Sequence, residues 1–174
     1  MSNPIPSPFT GSYWTGDPRF ARILRARVPA ASWGWVESLG KRFGHLAAAE
    51  IAPLAGPADK YGPRLVTHDA RGERVDEIEY HPSSRQMERI VYGNGILAEK
   101  YHPGNRKEHP RAIQLAGFTM GYLFGQAEAG LFCPVCMTDG VARVVERSGD
   151  EALARDVIPR LCFGPGEPRA TGAM

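Results

Sequence analysis

A mainly α fold, about six helices with one inserted β-hairpin, is what this sequence predicts, and three observations predict it. Apolar residues return every three or four positions in most segments between Pro18 and Leu161. One nearly all-apolar stretch, residues 111–129, fills every side of a helical wheel. Only within residues 64–81 does the period shorten, where β-branched and aromatic residues gather on either side of a turn. At 174 residues the chain is long enough to bury one core and short for several domains.

Residues 1–16 carry Pro4, Pro6, Pro8, Gly11 and Gly16 with Phe9, Tyr13 and Trp14 between them, an extended aromatic arm ahead of a helical domain spanning 17–174. Asp17 offers an N-cap acceptor and Pro18 the favoured first position of a helix. Phe20, Ile23, Leu24 and Arg27 follow at helical spacing, and the helix ends before Pro29. Arg19, Arg22, Arg25 and Arg27 read as its solvated face. Ser32 can cap a second helix whose Trp35, Leu39, Phe43 and Leu46 form a core stripe. His45 beside it has no partner four residues on and reads as an ordinary surface or core residue. Pro53, Gly56 and Pro57 break whatever helix continues through residues 47–55.

In the hairpin, Asp69 and Gly72 fit the first and last positions of a type I turn. His68, Asp69, Asp76, Glu77, Glu79 and His81 are all possible metal ligands, yet charge on a short exposed ribbon is its normal state and discourages edge pairing. Pro82 starts a helix with Met87, Ile90 and Val91 inward, and Gly93-Asn94-Gly95 stops it. Residues 101–110 read as a polar loop. The helix within 111–129 is expected to be enclosed by protein; its Gly117, Gly121 and Gly125 share a stripe that lets a neighbouring backbone or a flat ligand approach, with helix packing the simpler use. Pro134 suits the first turn of the next helix, with Met137, Val141, Val144 and Val145 at helical intervals. Ser148 and Glu151 are spaced as a capping box for a last helix carrying Leu153, Val157, Ile158 and Leu161.

Composition excludes several function classes. Twenty-one Lys and Arg against nineteen Asp and Glu leave a net charge of +2, without the clustered basic surface that nucleic acid requires. No apolar run reaches the roughly 18 residues needed to span a bilayer, so no membrane partner is expected. Three cysteines, an odd number, without a basic-then-apolar leader point to free thiols in a cytoplasmic protein.

Cys133-Pro134-Val135-Cys136 has the spacing of a dithiol or half of a zinc site, and a helix start lowers a thiol pKa. A thioredoxin-like site would need a preceding strand, and a helix precedes this one. Zinc would need two further ligands at paired spacing, which Cys162 and the scattered histidines do not supply.

The longer string Ala127 to Pro134, followed by Met137-Thr138 and a helix, resembles the acyl-CoA dehydrogenase superfamily, in its alkylation adaptive-response branch. Arg64, Thr67-His68-Asp69, Gly72, Arg74, Asp76, Glu79 and His81-Pro82 resemble that branch's hairpin, and residues 144–161 its helix pair. Cys136 looks incidental to the pattern. The resemblance implies the N-terminal helical domain of an FAD-dependent oxidoreductase, truncated or split ahead of a β-barrel and a C-terminal helical bundle that hold the flavin and the catalytic glutamate. It therefore implies no catalytic residue and no bound FAD in this chain alone, and as partners the missing domains or a separately encoded subunit, in an oligomer. In related enzymes the helix start matching Cys133, Cys136, Met137 and Gly140 runs beside the far end of the acyl chain, so these four are candidates for the substrate pocket; filling the core under the hairpin is the other role open to them. Two further identities stay open: a non-enzymatic helical module docking on a partner, and a dithiol or zinc protein.

Overall fold

A computed structural model of the protein describes residues 11–148, 150–162 and 170–172. The expected arm is helical where it is described: α1 (Tyr13–Gly16) is a single turn capped by Ser12, with Tyr13 and Trp14 buried. Phe9 lies outside the described residues. Trp14 decides the difference, because glycines in the next long helix leave room for its ring. α2 (Pro18–Arg27) begins as its sequence dictates, with the Phe20 amide donating to Asp17 Oδ1 at 3.0 Å. That bond, followed by one from the Tyr122 hydroxyl, holds the Asp17 carboxyl below its ordinary pKa.

α3 (Trp33–Leu46) buries Val36, Leu39, Phe43 and Leu46. Ser32 does not cap it; its hydroxyl lies 3.1 Å from Nδ1 of buried His109, whose ring stacks on Trp35. The helix does not break at Pro53. A π-helical turn (Ala47–Ile51) carries it into α4 (Ala52–Lys60), where Pro53 occupies the first turn and needs no N–H partner.

β1 (Arg64–His68) and β2 (Arg74–Glu79) pair antiparallel, joined by a turn in which Gly72 N–H donates to the Asp69 carbonyl. The Asp69 carboxylate accepts from the Arg71 and Glu73 amides. Asp76, with φ of 47°, lies within the bulge between the Val66↔Glu77 and His68↔Arg74 pairs. Every residue of the two strands but half-buried Val66 is exposed, including the cross-strand pair Leu65 and Ile78.

α5 (Pro82–Gly93) turns Met87 and Val91 inward. The stretch expected to be a polar loop instead holds α7 (Pro103–Glu108), directly after α6 (Ala98–Tyr101). Side chains from this stretch satisfy the backbone: Asn105 donates to the Glu99 carbonyl and Arg106 to the Lys100 carbonyl. α8 (Ile113–Ala127) lies against α3, where Ala116, Met120 and Leu123 meet Val36, Leu39 and Phe43 to form the centre of the core.

Enclosure of α8 on every side is not found. Phe118 is 70% exposed and Tyr122 43%, so one face of a nearly all-apolar helix stands open. In α9 (Phe132–Ser148) the buried residues are Val135, Thr138 and Ala142, while Val144 is exposed and Met137, Val141 and Val145 are half-buried. α10 (Glu151–Cys162) is capped by Asp150, whose carboxylate accepts from the Ala152 amide. The expected capping box fails because the Ser148 hydroxyl is committed to the Val144 carbonyl inside α9.

Candidate functional site

The first turn of α9 is set by an acidic side chain from the preceding connection. Glu128 accepts from the Gly130 amide at 2.9 Å and from that of Leu131, a negative charge where the helix presents free N–H groups. This places Phe132 across α8. A Cβ on Gly121 would come within 3.0 Å of the Phe132 ring, and one on Gly125 within 3.1 Å, so two stripe glycines are the seat of that ring. Lys100 passes the third, 3.3 Å from the position of a Cβ on Gly117. The chain's own side chains thus fill the stripe.

Beside this contact lies a groove of about 410 Å³, with Phe20, Phe118 and Tyr122 on one side and Phe132, Val135 and Cys136 on the other. Phe20 and Tyr122 stack with centroids 4.1 Å apart, and the Tyr122 hydroxyl donates to Asp17 Oδ2 at 2.8 Å, which fixes that wall. The groove is mainly apolar; Gln114 contributes a polar side chain, and at one place Lys100 and Asp139 line it together. Lys100 Nζ donates to both Asp139 oxygens, at 2.5 and 2.7 Å, and the Tyr101 hydroxyl to Asp139 Oδ1 at 2.9 Å. Burial first, then the Asp139 charge, pushes the Tyr101 phenol well above its ordinary pKa, so it stays a donor.

A second, wider cleft of about 990 Å³ opens among α4, α5 and the α8–α9 connection. Most of its charged groups are already engaged, with Asp59 a further carboxylate in its lining: the Arg85 guanidinium sits 4.5 Å over the Tyr80 ring and 3.2 Å from Glu88, and Glu128 is the α9 cap. The apolar groove, not the cleft, is the better candidate site.

Residues 3–164 match the family described as the adaptive response protein AidB N-terminal domain. This chain belongs to the AidB N-terminal domain family. The putative acyl-CoA dehydrogenase AidB of Escherichia coli (strain K12) is 27% identical over 109 residues, a match covering 60% of this chain and 19% of that protein. The solved structure of Bd2924 in its apo form superposes with a TM-score of 0.81 at 25% identity, over 97% of this chain and 32% of that one. Caenorhabditis elegans ACDH-11, solved in complex with C11-CoA, shares the fold with a TM-score of 0.77 at 24% identity, over 97% of this chain and 29% of its own. The chain therefore spans about a fifth to a third of the length of these relatives, as the N-terminal domain of an acyl-CoA dehydrogenase-like protein.

In this AidB N-terminal-type domain the four expected pocket residues, Cys133, Cys136, Met137 and Gly140, lie along one side of α9. Only Cys136 lines the groove; Cys133 and Gly140 are exposed outside it, and Met137 is half-buried. Phe132, Val135 and Asp139 are the α9 residues that line it with Cys136. Asp139 carried a signal, as a carboxylate in an otherwise apolar run; Lys100 carried none, because its partner is 39 residues away.

The thiols are unlike one another. Cys133 and Cys136 are exposed and Cys162 is buried. Burial pushes the Cys162 thiol up to about 12, and it also raises Cys136, the opposite of what a redox dithiol at a helix start needs. Among the described residues no three His, Cys, Asp or Glu side chains are placed to hold a metal ion, the hairpin cluster included. Titration with an aromatic disulfide reagent is expected to consume two thiols quickly and the third only in denaturant; three equally fast thiols would contradict this packing.

Proposed function

We propose that the domain supplies one wall of a site for an aliphatic acyl chain in an FAD-dependent acyl-CoA dehydrogenase-like protein, and that it carries no catalytic group of its own. The observation that carries this reading is the groove between α8 and α9, mainly apolar, with Gln114 and one ion pair in its lining, and framed by aromatic rings. A relative with this fold, solved in complex with C11-CoA, supports it. Cys136, polarizable and adaptable, borders the groove, whereas Cys133, Met137 and Gly140 stay outside its lining. FAD itself does not fit these residues. A dinucleotide needs donors for its diphosphate, and Lys100, the groove's one cation, is spent on Asp139. A flavin, which would accept hydride from the acyl chain, belongs on the remaining domains of the longer proteins.

Octanoyl-CoA added to the isotope-labelled chain is expected to shift the amide resonances of Gly121, Phe132 and Val135. Cys136→Trp, which plugs the groove, is expected to weaken binding by roughly tenfold or more, and Cys133→Trp to leave it unchanged. Shifts confined to the wide cleft, or indifference to Cys136→Trp, would defeat the reading. Oxidation of any acyl-CoA by this chain with added FAD would overturn its non-catalytic half.

A second reading, a docking module for a separately encoded partner, rests on the open face of α8, where Phe118 is 70% exposed, with Ile23 on α2 59% exposed. Mono-dispersity of the chain at high concentration would count against it. The two readings are compatible, since the protein that covers this face would also close the groove. No helix among the described residues is long and apolar enough to cross a membrane. Free thiols accord with a cytoplasmic setting.

A further inference from the structure

Lys100 and Asp139 make an unexpected wall for an apolar groove, and stability does not require them. A buried ion pair contributes little beyond what well-packed apolar residues of similar size would give. Its geometry is lopsided. The Lys100 side chain is 6% exposed, while that of Asp139 remains 31% exposed and lines the groove. Lys100 therefore faces inward, and the pair meets the groove chiefly through the carboxylate.

An ionised carboxylate has room for about four hydrogen bonds on its two oxygens. Asp139 Oδ1 accepts from Lys100 and from Tyr101, and Oδ2 accepts from Lys100, which leaves acceptor capacity on Oδ2. Val135, Phe132, Leu97 and Ile96 in the groove offer hydrocarbon, and Gln114 is its one other hydrogen-bonding side chain besides Tyr122, whose hydroxyl is given to Asp17. A plain alkyl chain laid over Asp139 would strip water from that oxygen and return nothing. A chain bearing a hydroxyl there would donate to it. A carboxylate-ended chain would meet like charge, because the only cation is enclosed and already turned to Asp139.

We propose that this groove prefers aliphatic chains carrying a hydroxyl at the depth of Asp139, so that it binds hydroxylated acyl groups more tightly than plain or carboxyl-ended ones. The proposal rests on reading the groove as an aliphatic-chain site, and it makes Asp139 the specificity-determining residue, with Lys100 and Tyr101 positioning its carboxylate.

The test compares 1-octanol, its methyl ether and octanoate by titration of the labelled chain, following the Val135 and Phe132 amides. 1-Octanol is expected to bind about tenfold tighter than the methyl ether, a difference the size of one charge-assisted hydrogen bond, with octanoate weakest. In a Lys100→Met, Asp139→Leu double variant, which removes both charges together, the advantage of the alcohol over the ether is expected to vanish. Equal binding of alcohol and ether to the natural chain, or an advantage that persists in the double variant, would overturn the hydroxyl preference and leave the groove reading standing. If none of the three shifts the groove resonances, both fall.

Discussion

Replacing Asp139 with Leu is expected to destabilise the fold by about 3 to 5 kcal/mol, and replacing Lys100 with Met in the same chain to restore most of that loss. Lys100 is 5% exposed and its ammonium has Asp139 as counter-charge on both oxygens, so the single substitution leaves a cation out of water with nothing to balance it. Tyr101 loses less, because its one hydroxyl proton, shared between Asp139 Oδ1 and the Asp139 backbone carbonyl, keeps the carbonyl as acceptor. Lys100→Met alone should cost less, since the Asp139 side chain is 31% exposed and water can reach the orphaned carboxylate. Urea unfolding of the two single variants and the double variant checks the pattern. If the double variant loses the sum of the two single losses, the pair is not coupled and the geometry of this corner is wrong.

Gly40→Ala is expected to cost about 3 kcal/mol, close to what is lost when a buried tryptophan is removed from a core. A Cβ at Gly40 would stand 2.3 Å from two atoms of the Trp14 ring, and one at Gly44 would stand 2.5 Å from the Trp14 backbone nitrogen. The ring is enclosed, 6% exposed, with Phe20 edge-on at 6.1 Å and Trp33 tilted at 6.4 Å, so it has no neighbouring space to shift into. The one-turn α1 would leave α3, exposing Trp14 and Tyr13 together. Gly34→Ala in the same helix is the matched control: a Cβ there meets nothing within 4 Å, and the helix gains up to about 1 kcal/mol of propensity. Thermal unfolding and acrylamide quenching of tryptophan fluorescence separate the two. Similar melting temperatures for Gly40→Ala and Gly34→Ala would refute the packing of Trp14.

Much of the fold was legible in sequence where it depends on neighbours along the chain. Asp17 capping a helix begun by Pro18, the Asp69 to Gly72 turn and the stop after Gly93 were all read correctly. Each depends on hydrogen bonds or backbone dihedrals within four or five residues. Where another partner competed with the local one, the sequence offered no way to choose. Ser32 was expected to cap α3 and went to His109, 77 residues away; Ser148 was expected to cap α10 and bonded back into α9, leaving Asp150 to do it.

The site was less legible for a related reason. Glycine, cysteine and methionine around the α8–α9 junction marked the place, and the resemblance marked the family, but helical phase is sensitive to where a helix starts. Glu128 caps the start of α9, and Val135 and Asp139 line the groove with Cys136 and Phe132.

By itself, then, the sequence determined the long helices, the hairpin and the family, because periodicity and capping act over a few residues. Tertiary structure alone decided that Trp14 lies in a notch made by Gly40 and Gly44, that Phe132 occupies the stripe of Gly121 and Gly125, and that Lys100 reaches Asp139. Those contacts join residues far apart in the chain, and close packing permits them only once both helices are in place.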